Sequence, residues 1–404
     1  MEQIIIGVVR ETKIPPDKRV PLTPIQCQKL QKLHKGLKII VQPSDDRCYS
    51  NAEYAAAGVF LSEDLSRCGV IMGVKEVSID TLIAGKTYLF FSHTAKKQPY
   101  NRELLNAVVK RKIRLVDYEY LTDEAEGRVV AFGRWAGVVG AYNGLRALGL
   151  RSGMFRLKPA HSCYDFAEVR MELKKVNPGR VRIALTGGGR VAGGAVEILE
   201  MAGIPSTDPT SFLENEFDHA IYTRLDPWHY AIRKDRAEFD FDHFVVHPGM
   251  YENSFQPFAK QTDLFIACHF WDPNSPVLLT REELQSDEIA ISIVADISCD
   301  IAGPIAPTIR ASSIAEPFYG YNPLTGDETK PFQNESVTVM AVDNLPGELP
   351  RDASADFGAA LMEHVIPELL GLEDTGMLGR ASIASRGALT ERYVYLQDYL
   401  DGKE

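Results

Sequence analysis

The sequence predicts an α/β protein made of two parallel-sheet modules in series. Short apolar runs alternate with helix-length amphipathic segments, the pattern of strands joined by crossover helices. The alternation occurs twice, before and after a glycine-studded helical stretch at 134–148. At 404 residues the chain also exceeds what one hydrophobic core ordinarily serves.

In chain order, the first strands are IIIGVVR (4–10), LKIIVQP (37–43), GVIMGV (69–74), TYLFFS (87–92) and IRLVDYE (113–119), with helices predicted at 23–35 and 102–111. The stretch RWAGVVGAYNGLRAL then places Trp135, Val138, Val139, Tyr142 and Leu145 on one helical face. Its Gly137, Gly140 and Gly144 allow close approach of a neighbour, and the sequence predicts a helix linking the modules. The second series is VRIALTG (181–187), DLFIACHF (263–270), AISIVADIS (290–298) and VTVMAVD (337–343). The remainder, 352–404, reads as helical and is expected to pack back on the first module. The expected domains are 1–133 with 350–404, and 134–349.

Composition narrows the function. A net charge of −11 disfavours nucleic acid as a partner. No run approaches the ~20 apolar residues needed to span a bilayer, so no membrane partner is expected. The N-terminal MEQIIIGVVR suits a first strand, not a signal peptide. Six scattered cysteines without a CxxC pair read as free thiols, which favours a cytoplasmic location. The nine histidines lack ligand spacing, so no metal is expected.

The stretch VRIALTGGGRVAGGAVEIL joins a strand to an amphipathic helix, and Gly187, Gly189 and Ala192 fit G-x-G-x-x-A. The first position allows a tight turn, the second lets backbone approach a pyrophosphate, and the third permits helix–strand packing. With Arg190 and Val191 opening the helix, free N–H groups and the positive dipole end face the phosphates. Asp208 has roughly the 20-residue spacing of a ribose-reading acid, while Arg190 suits a 2′-phosphate. NAD and NADP both stay open as cofactor.

Ligands of open α/β sheets sit beyond the carboxyl ends of strands. There this sequence places Arg10, Glu11, Lys13 and Arg19; Lys75 and Glu76; His93 and Lys96; Glu119 and Arg128; and, in the second module, Asp296 and Asp343. Singly, each has a bland reading as a solvated strand tip. Together, the cations suit the carboxylates of a keto acid or amino acid, and the acids suit a substrate ammonium. A lysine and a histidine in reach of each other suit acid–base catalysis, with desolvation and neighbouring cations lowering the lysine pKa. The implied reaction is hydride exchange with a carbon bearing nitrogen, with water added to or lost from an imine.

These motifs carry a family resemblance. RETKIPPDKRVPLTP, GVKEV, KTYLFFSHTAK, LVDYEYL, GRVVAFGRWAGVVGAYN, ADISCDIAGPI and AVDNLPGELPRDAS run almost the length of the chain. They resemble the lysine-forming saccharopine dehydrogenases and the lysine–2-oxoglutarate reductase half of the bifunctional lysine-degrading enzyme. The resemblance implies two Rossmann-like domains of the alanine dehydrogenase/transhydrogenase type, with the active site in the interdomain cleft. It implies that Lys75 and His93 are the acid–base pair, tuned by Glu119 and Glu76. It also implies that Arg19, Lys96 and Arg128 contact substrate carboxylates, with Lys13 nearby and Asp343 beside the nicotinamide. Only the reductase-like unit of the bifunctional protein is expected. The implied substrates are small molecules, an amino acid (lysine by family default) and a 2-oxo acid, handled by a monomer or small homo-oligomer. Alanine dehydrogenase and a non-catalytic nucleotide-binding scaffold are the alternatives. The series FFSHT, AFGRWAG and DNLPGELP stands against the first, and intact Lys75, His93, Arg19 and Lys96 against the second.

Overall fold

The computed structural model describes residues 4–403, and the chain divides into two compact units. One comprises the chain up to Phe132 together with the stretch from Pro350 onward, and the other is Gly133–Leu349.

The first unit is built on β1 (Ile4–Val8), β2 (Leu37–Val41), β3 (Phe60–Leu61), β4 (Val70–Met72), β5 (Thr87–Phe90) and β6 (Arg114–Asp117). These pair in parallel in the order 6-5-4-1-2-3. Both faces are covered, so Ile6, Val8, Ile71, Met72, Leu89 and Val116 are all fully buried. Because β2 and β4 flank β1, strand order reverses there, and in such sheets ligands bind beyond the carboxyl ends of the strands at that point. The helix Pro24–Leu33 returns the chain from β1 to β2, started by a Thr23–Gln26 capping box.

The second unit contains β7 (Arg182–Thr186), β8 (Ile221–Leu225), the small antiparallel pair β9 (Ala231–Arg233) and β10 (Tyr251–Asn253), β11 (Leu264–Ala267), β12 (Ile293–Asp296), β13 (Phe318–Tyr321), β14 (Glu328–Thr329) and β15 (Val337–Met340). Its main sheet runs 8-7-11-12-15-13-14, antiparallel only at β13 and β14. Here the order reverses at β7. The long helix Gly133–Ser152 belongs to this unit, where Gly137 meets backbone and Gly140 and Gly144 meet the side chains of Ile297 and Ala295. A Cβ on Gly137 would lie 1.8 Å from the Val191 carbonyl oxygen, and one on Gly194 2.0 Å from that of Arg134. The close approach inferred from sequence is thus a contact with the helix Arg190–Met201.

The chain then returns to the first unit. The segment expected to be helical begins with the helix Pro350–Ala360 but ends in a hairpin, β16 (Ser382–Ser385) and β17 (Ala388–Leu389). Arg386 (φ 54°) and Gly387 (φ 89°) supply the left-handed two-residue turn that such hairpins need. β16 adds antiparallel to β6 and extends the first sheet. Among the described residues, no helix is long and apolar enough to cross a membrane.

Candidate active site

In the first unit the ionisable groups meet at the carboxyl ends of β1, β4, β5 and β6. Glu11, just past β1, accepts the N–H groups of Val74 (2.7 Å) and Lys75 (2.9 Å), which fixes the backbone that carries Lys75. Burial, against these two hydrogen bonds, pushes the Glu11 carboxyl up to about 7. The Lys75 ammonium is pulled below its ordinary pKa by burial first, then by the nearby charges of Arg19 and Lys13.

Glu76 binds His93 Nδ1 through Oε1 (2.7 Å) and Lys13 Nζ through Oε2 (3.3 Å). Burial alone would raise Glu76, but these partners, His93 foremost, bring it down to about 2. With Nδ1 tied to Glu76, Nε2 is the imidazole nitrogen left for a reacting group. His93 has φ 52°, ψ 12°, a left-handed conformation that turns the chain sharply out of β5. Its neighbours hold that turn. The carboxylate of Asp117, buried at the end of β6, accepts the Ser92 N–H (3.0 Å), the Ser92 hydroxyl (2.5 Å) and the Glu119 N–H (2.8 Å). One buried acid thereby positions both His93 and Glu119.

The cations expected to bind substrate carboxylates fall into two groups. Lys96 (3.1 Å) and Arg128 (2.7 Å) converge on Glu119 Oε1 and are 47 % and 42 % exposed. A carboxylate arriving there meets two cations within one salt bridge of each other. Arg19 differs. It is only 4 % exposed, binds Asp17 through Nε (2.9 Å) and Nη2 (2.6 Å), and stacks over Phe132 at 4.2 Å. Much of its guanidinium is committed to holding Asp17.

The second unit holds the glycine loop. Gly187 has φ 103°, and a Cβ there would lie 2.7 Å from the Cys268 carbonyl oxygen, so the turn requires glycine. Gly189 has open space where a side chain would be, and the helix Arg190–Met201 begins immediately after it. Ala192 is buried. The loop borders a cavity of about 520 Å³ whose other walls include Asp226, Trp228, Phe244 and His269. Room beside Gly189, a helix N-terminus and an acid at the next strand end fit a dinucleotide.

Two expected coenzyme residues do not line this cavity. Asp208 is exposed, lies outside this cavity and caps the helix Pro209–Glu214 by accepting the Ser211 N–H at 2.9 Å. The strand beside β7 is β8, and the acid at its end is Asp226, whose Oδ1 would lie 2.8 Å from a Cβ on Gly188. Its signal was IYTRLDP, an apolar-branched run closed by Asp-Pro, 39 positions beyond Gly187 instead of about 20. Asp296 is fully buried, and its carboxylate accepts the Ser298 hydroxyl (2.6 Å), the Thr308 hydroxyl (2.6 Å) and the Cys299 N–H (3.0 Å). It braces the loop after β12. Asp343 is exposed just beyond β15. Arg190 and Val191 line the cavity as the first helical residues.

Residues 7–139 match the family model described as "Alanine dehydrogenase/PNT, N-terminal domain". Over 96 % of its length the chain is 31 % identical to the mitochondrial alpha-aminoadipic semialdehyde synthase of Mus musculus, and over 97 % it is 30 % identical to an alpha-aminoadipic semialdehyde synthase of Arabidopsis thaliana. It spans about half of these relatives, 47 % and 41 % of their lengths. A "Saccharopine dehydrogenase [NAD(+), L-lysine-forming]" of Emericella nidulans is 26 % identical, with 90 % of this chain and 91 % of that one covered. Among solved structures, L-alanine dehydrogenase superposes with a TM-score of 0.67 at 16 % identity, covering 99 % of this chain and 100 % of that one. The Sinorhizobium meliloti transhydrogenase gives 0.61 at 14 %, covering 96 % and 100 %. The chain therefore has the alanine dehydrogenase fold and is similar in sequence to lysine-forming saccharopine dehydrogenases and, over about half of their length, to alpha-aminoadipic semialdehyde synthases.

Proposed function

We propose that this protein is an NAD(P)-dependent oxidoreductase acting on the CH–NH bond of a secondary amine. It interconverts an opine-type product with an amino acid, lysine in the first instance, and 2-oxoglutarate. The observation that carries the reading is the cluster of Lys75 with the hydrogen-bonded Glu76–His93 pair, beside the carboxylate-binding pair Lys96 and Arg128.

The coenzyme supplies the hydride acceptor or donor. This chain's residues manage protons and orientation. Lys75, with its pKa lowered, accepts the proton from the amine nitrogen as the C–N bond is oxidised. His93 Nε2 then takes a proton from the water that adds to the imine carbon and returns it to the departing amine, while Glu76 holds the ring through Nδ1. Lys96 and Arg128 take the keto-acid carboxylate, which displaces Glu119 from part of its pairing. On the coenzyme side, an acid at the end of β8 accepts ribose hydroxyls and repels a 2′-phosphate, so Asp226 favours NAD over NADP.

The test is oxidation of NADH and NADPH, compared in turn, with lysine plus 2-oxoglutarate and with ammonia plus pyruvate. Turnover with the first pair and NADH is expected. Turnover only with ammonia and pyruvate would make the protein an alanine dehydrogenase in activity as well as fold. Dinucleotide binding without turnover on any amine would make it a scaffold.

A further inference from the structure

The two cations proposed for the substrate carboxylate stand on loops that cannot hold themselves rigid. Lys96 closes a single helical turn, Thr94–Lys96, set between two left-handed residues, His93 (φ 52°) and Lys97 (φ 55°). Arg128 lies on the return of a short loop, where Asp123 accepts the Ala125 and Gly127 N–H groups and a β-bridge pairs Thr122 with Arg128. Left-handed residues other than glycine are strained and persist only where neighbours over-determine them. At the His93 end those neighbours are Ser92, Thr94 and Asp117. The Lys97 end needs a hold of its own.

That hold comes from the stretch 380–400, far along the chain but in the same unit. Tyr399 is 2 % exposed, and its hydroxyl donates to the Gln98 carbonyl at 2.5 Å. Tyr395 donates to the Ala95 carbonyl at 3.4 Å, and the Lys97 ammonium lies 5.9 Å from the centre of its ring. The Arg128 loop is gripped by the same stretch. Arg380 donates to the Thr122 carbonyl at 2.8 Å, Tyr393 meets Tyr120 edge-on at 5.5 Å, and Arg392 pairs with Glu126 at 3.5 Å. Of these contacts, Tyr399 with Gln98 is the short, buried one. Phenylalanine would fill the same space, so what the hydroxyl adds is a fixed distance to the loop that carries Lys96.

We propose that Tyr399 is a positioning residue for the carboxylate site: by holding the Gln98 carbonyl it sets where Lys96 stands opposite Arg128. An arriving 2-oxo acid gains from both cations at once only if their separation is fixed beforehand, since ordering a loop on binding costs affinity. The role rests on the reading of Lys96 and Arg128 given above and adds what places them.

The test is Tyr399→Phe, which removes the hydroxyl and keeps the ring. Amide exchange across residues 95–101 of the free protein should quicken several-fold. KM for 2-oxoglutarate, with NADH and lysine saturating, should rise about 5-fold, while kcat and KM for lysine stay within about 2-fold. In a Lys96→Ala background the same substitution should leave that KM where it is, because the cation being positioned is gone. A general loss of stability would instead lower the melting temperature and move all kinetic parameters alike. If Tyr399→Phe leaves KM for 2-oxoglutarate unchanged, or raises it equally with and without Lys96, the positioning role is wrong and the functional reading stands. If the wild type turns over no lysine with 2-oxoglutarate, or Lys96→Ala leaves KM for the 2-oxo acid unaltered, the reading of the site falls and takes this role with it.

Discussion

Replacing Glu11 with Gln tests how the sheet edge that carries Lys75 is held. Its carboxyl is raised from an ordinary 4.5 to about 7, chiefly by burial. A carboxyl with a raised folded-state pKa binds its proton more tightly in the native protein than in the unfolded chain. Its stabilising contribution is therefore complete below pH 4.5 and is lost as pH rises through 7. A rise of this size corresponds to about 3 kcal/mol, most of which falls between pH 5 and pH 8. Gln cannot titrate, and its amide oxygen keeps only one of the two backbone hydrogen bonds to Val74 and Lys75. Glu11→Gln should therefore gain about 2–3 kcal/mol of stability on the wild type between pH 5 and pH 8. Urea unfolding at pH 5, 6.5 and 8 measures this. Far-UV circular dichroism is the signal to follow, since all three tryptophans (135, 228, 271) lie in the second unit. Other groups titrating in this range cancel in the wild-type-minus-variant difference. Parallel stability curves for the two proteins would refute the placement of a titrating carboxyl under Lys75.

Lys75→Met and His93→Gln should each lower kcat by about 10²-fold or more with smaller changes in KM, as steady-state kinetics with lysine and 2-oxoglutarate would show. Arg19→Ala should cost about 3 kcal/mol of stability in denaturant titration, because it strands the buried Asp17 carboxylate; a pure rise in KM would contradict the ion pair. Gly187→Ala should lower the melting temperature and coenzyme affinity together, because the turn is left-handed and a Cβ would meet the Cys268 carbonyl. Asp226→Ala should raise the Kd for NADH about 10-fold while lowering that for NADPH, measured by protein-to-coenzyme fluorescence transfer.

The parallel strands were legible because doubly covered strands read as unbroken apolar runs: IIIGV, VIM, TYLF and IALT needed no partner to be recognised. β8 was not, since IYTRL is short and mixed and follows a proline-rich stretch whose Asp208 has the more usual spacing from the glycine loop. Only pairing with β7 identifies it. The hairpin β16–β17 escaped for a similar reason, its turn being Arg-Gly instead of Asn-Gly. Strand-end position told which residues gather at the first sheet's edge, but not which are free to act there. The commitment of Arg19 to Asp17, and of Asp296 to Ser298 and Thr308, depends on side-chain partners that no spacing rule encodes.

The antiparallel seam between β6 and β16 has a consequence for biogenesis. As the nascent chain leaves the ribosome, β6 emerges long before Ser382–Ser385, with the whole of Gly133–Leu349 still to be made. Throughout that interval one margin of the first sheet presents bare amide and carbonyl groups, an invitation to stray strands from neighbouring polypeptides. Synthesis at high concentration should thus be the hazardous stage of this protein's life, and chaperone dependence should follow the arrival of its final hairpin.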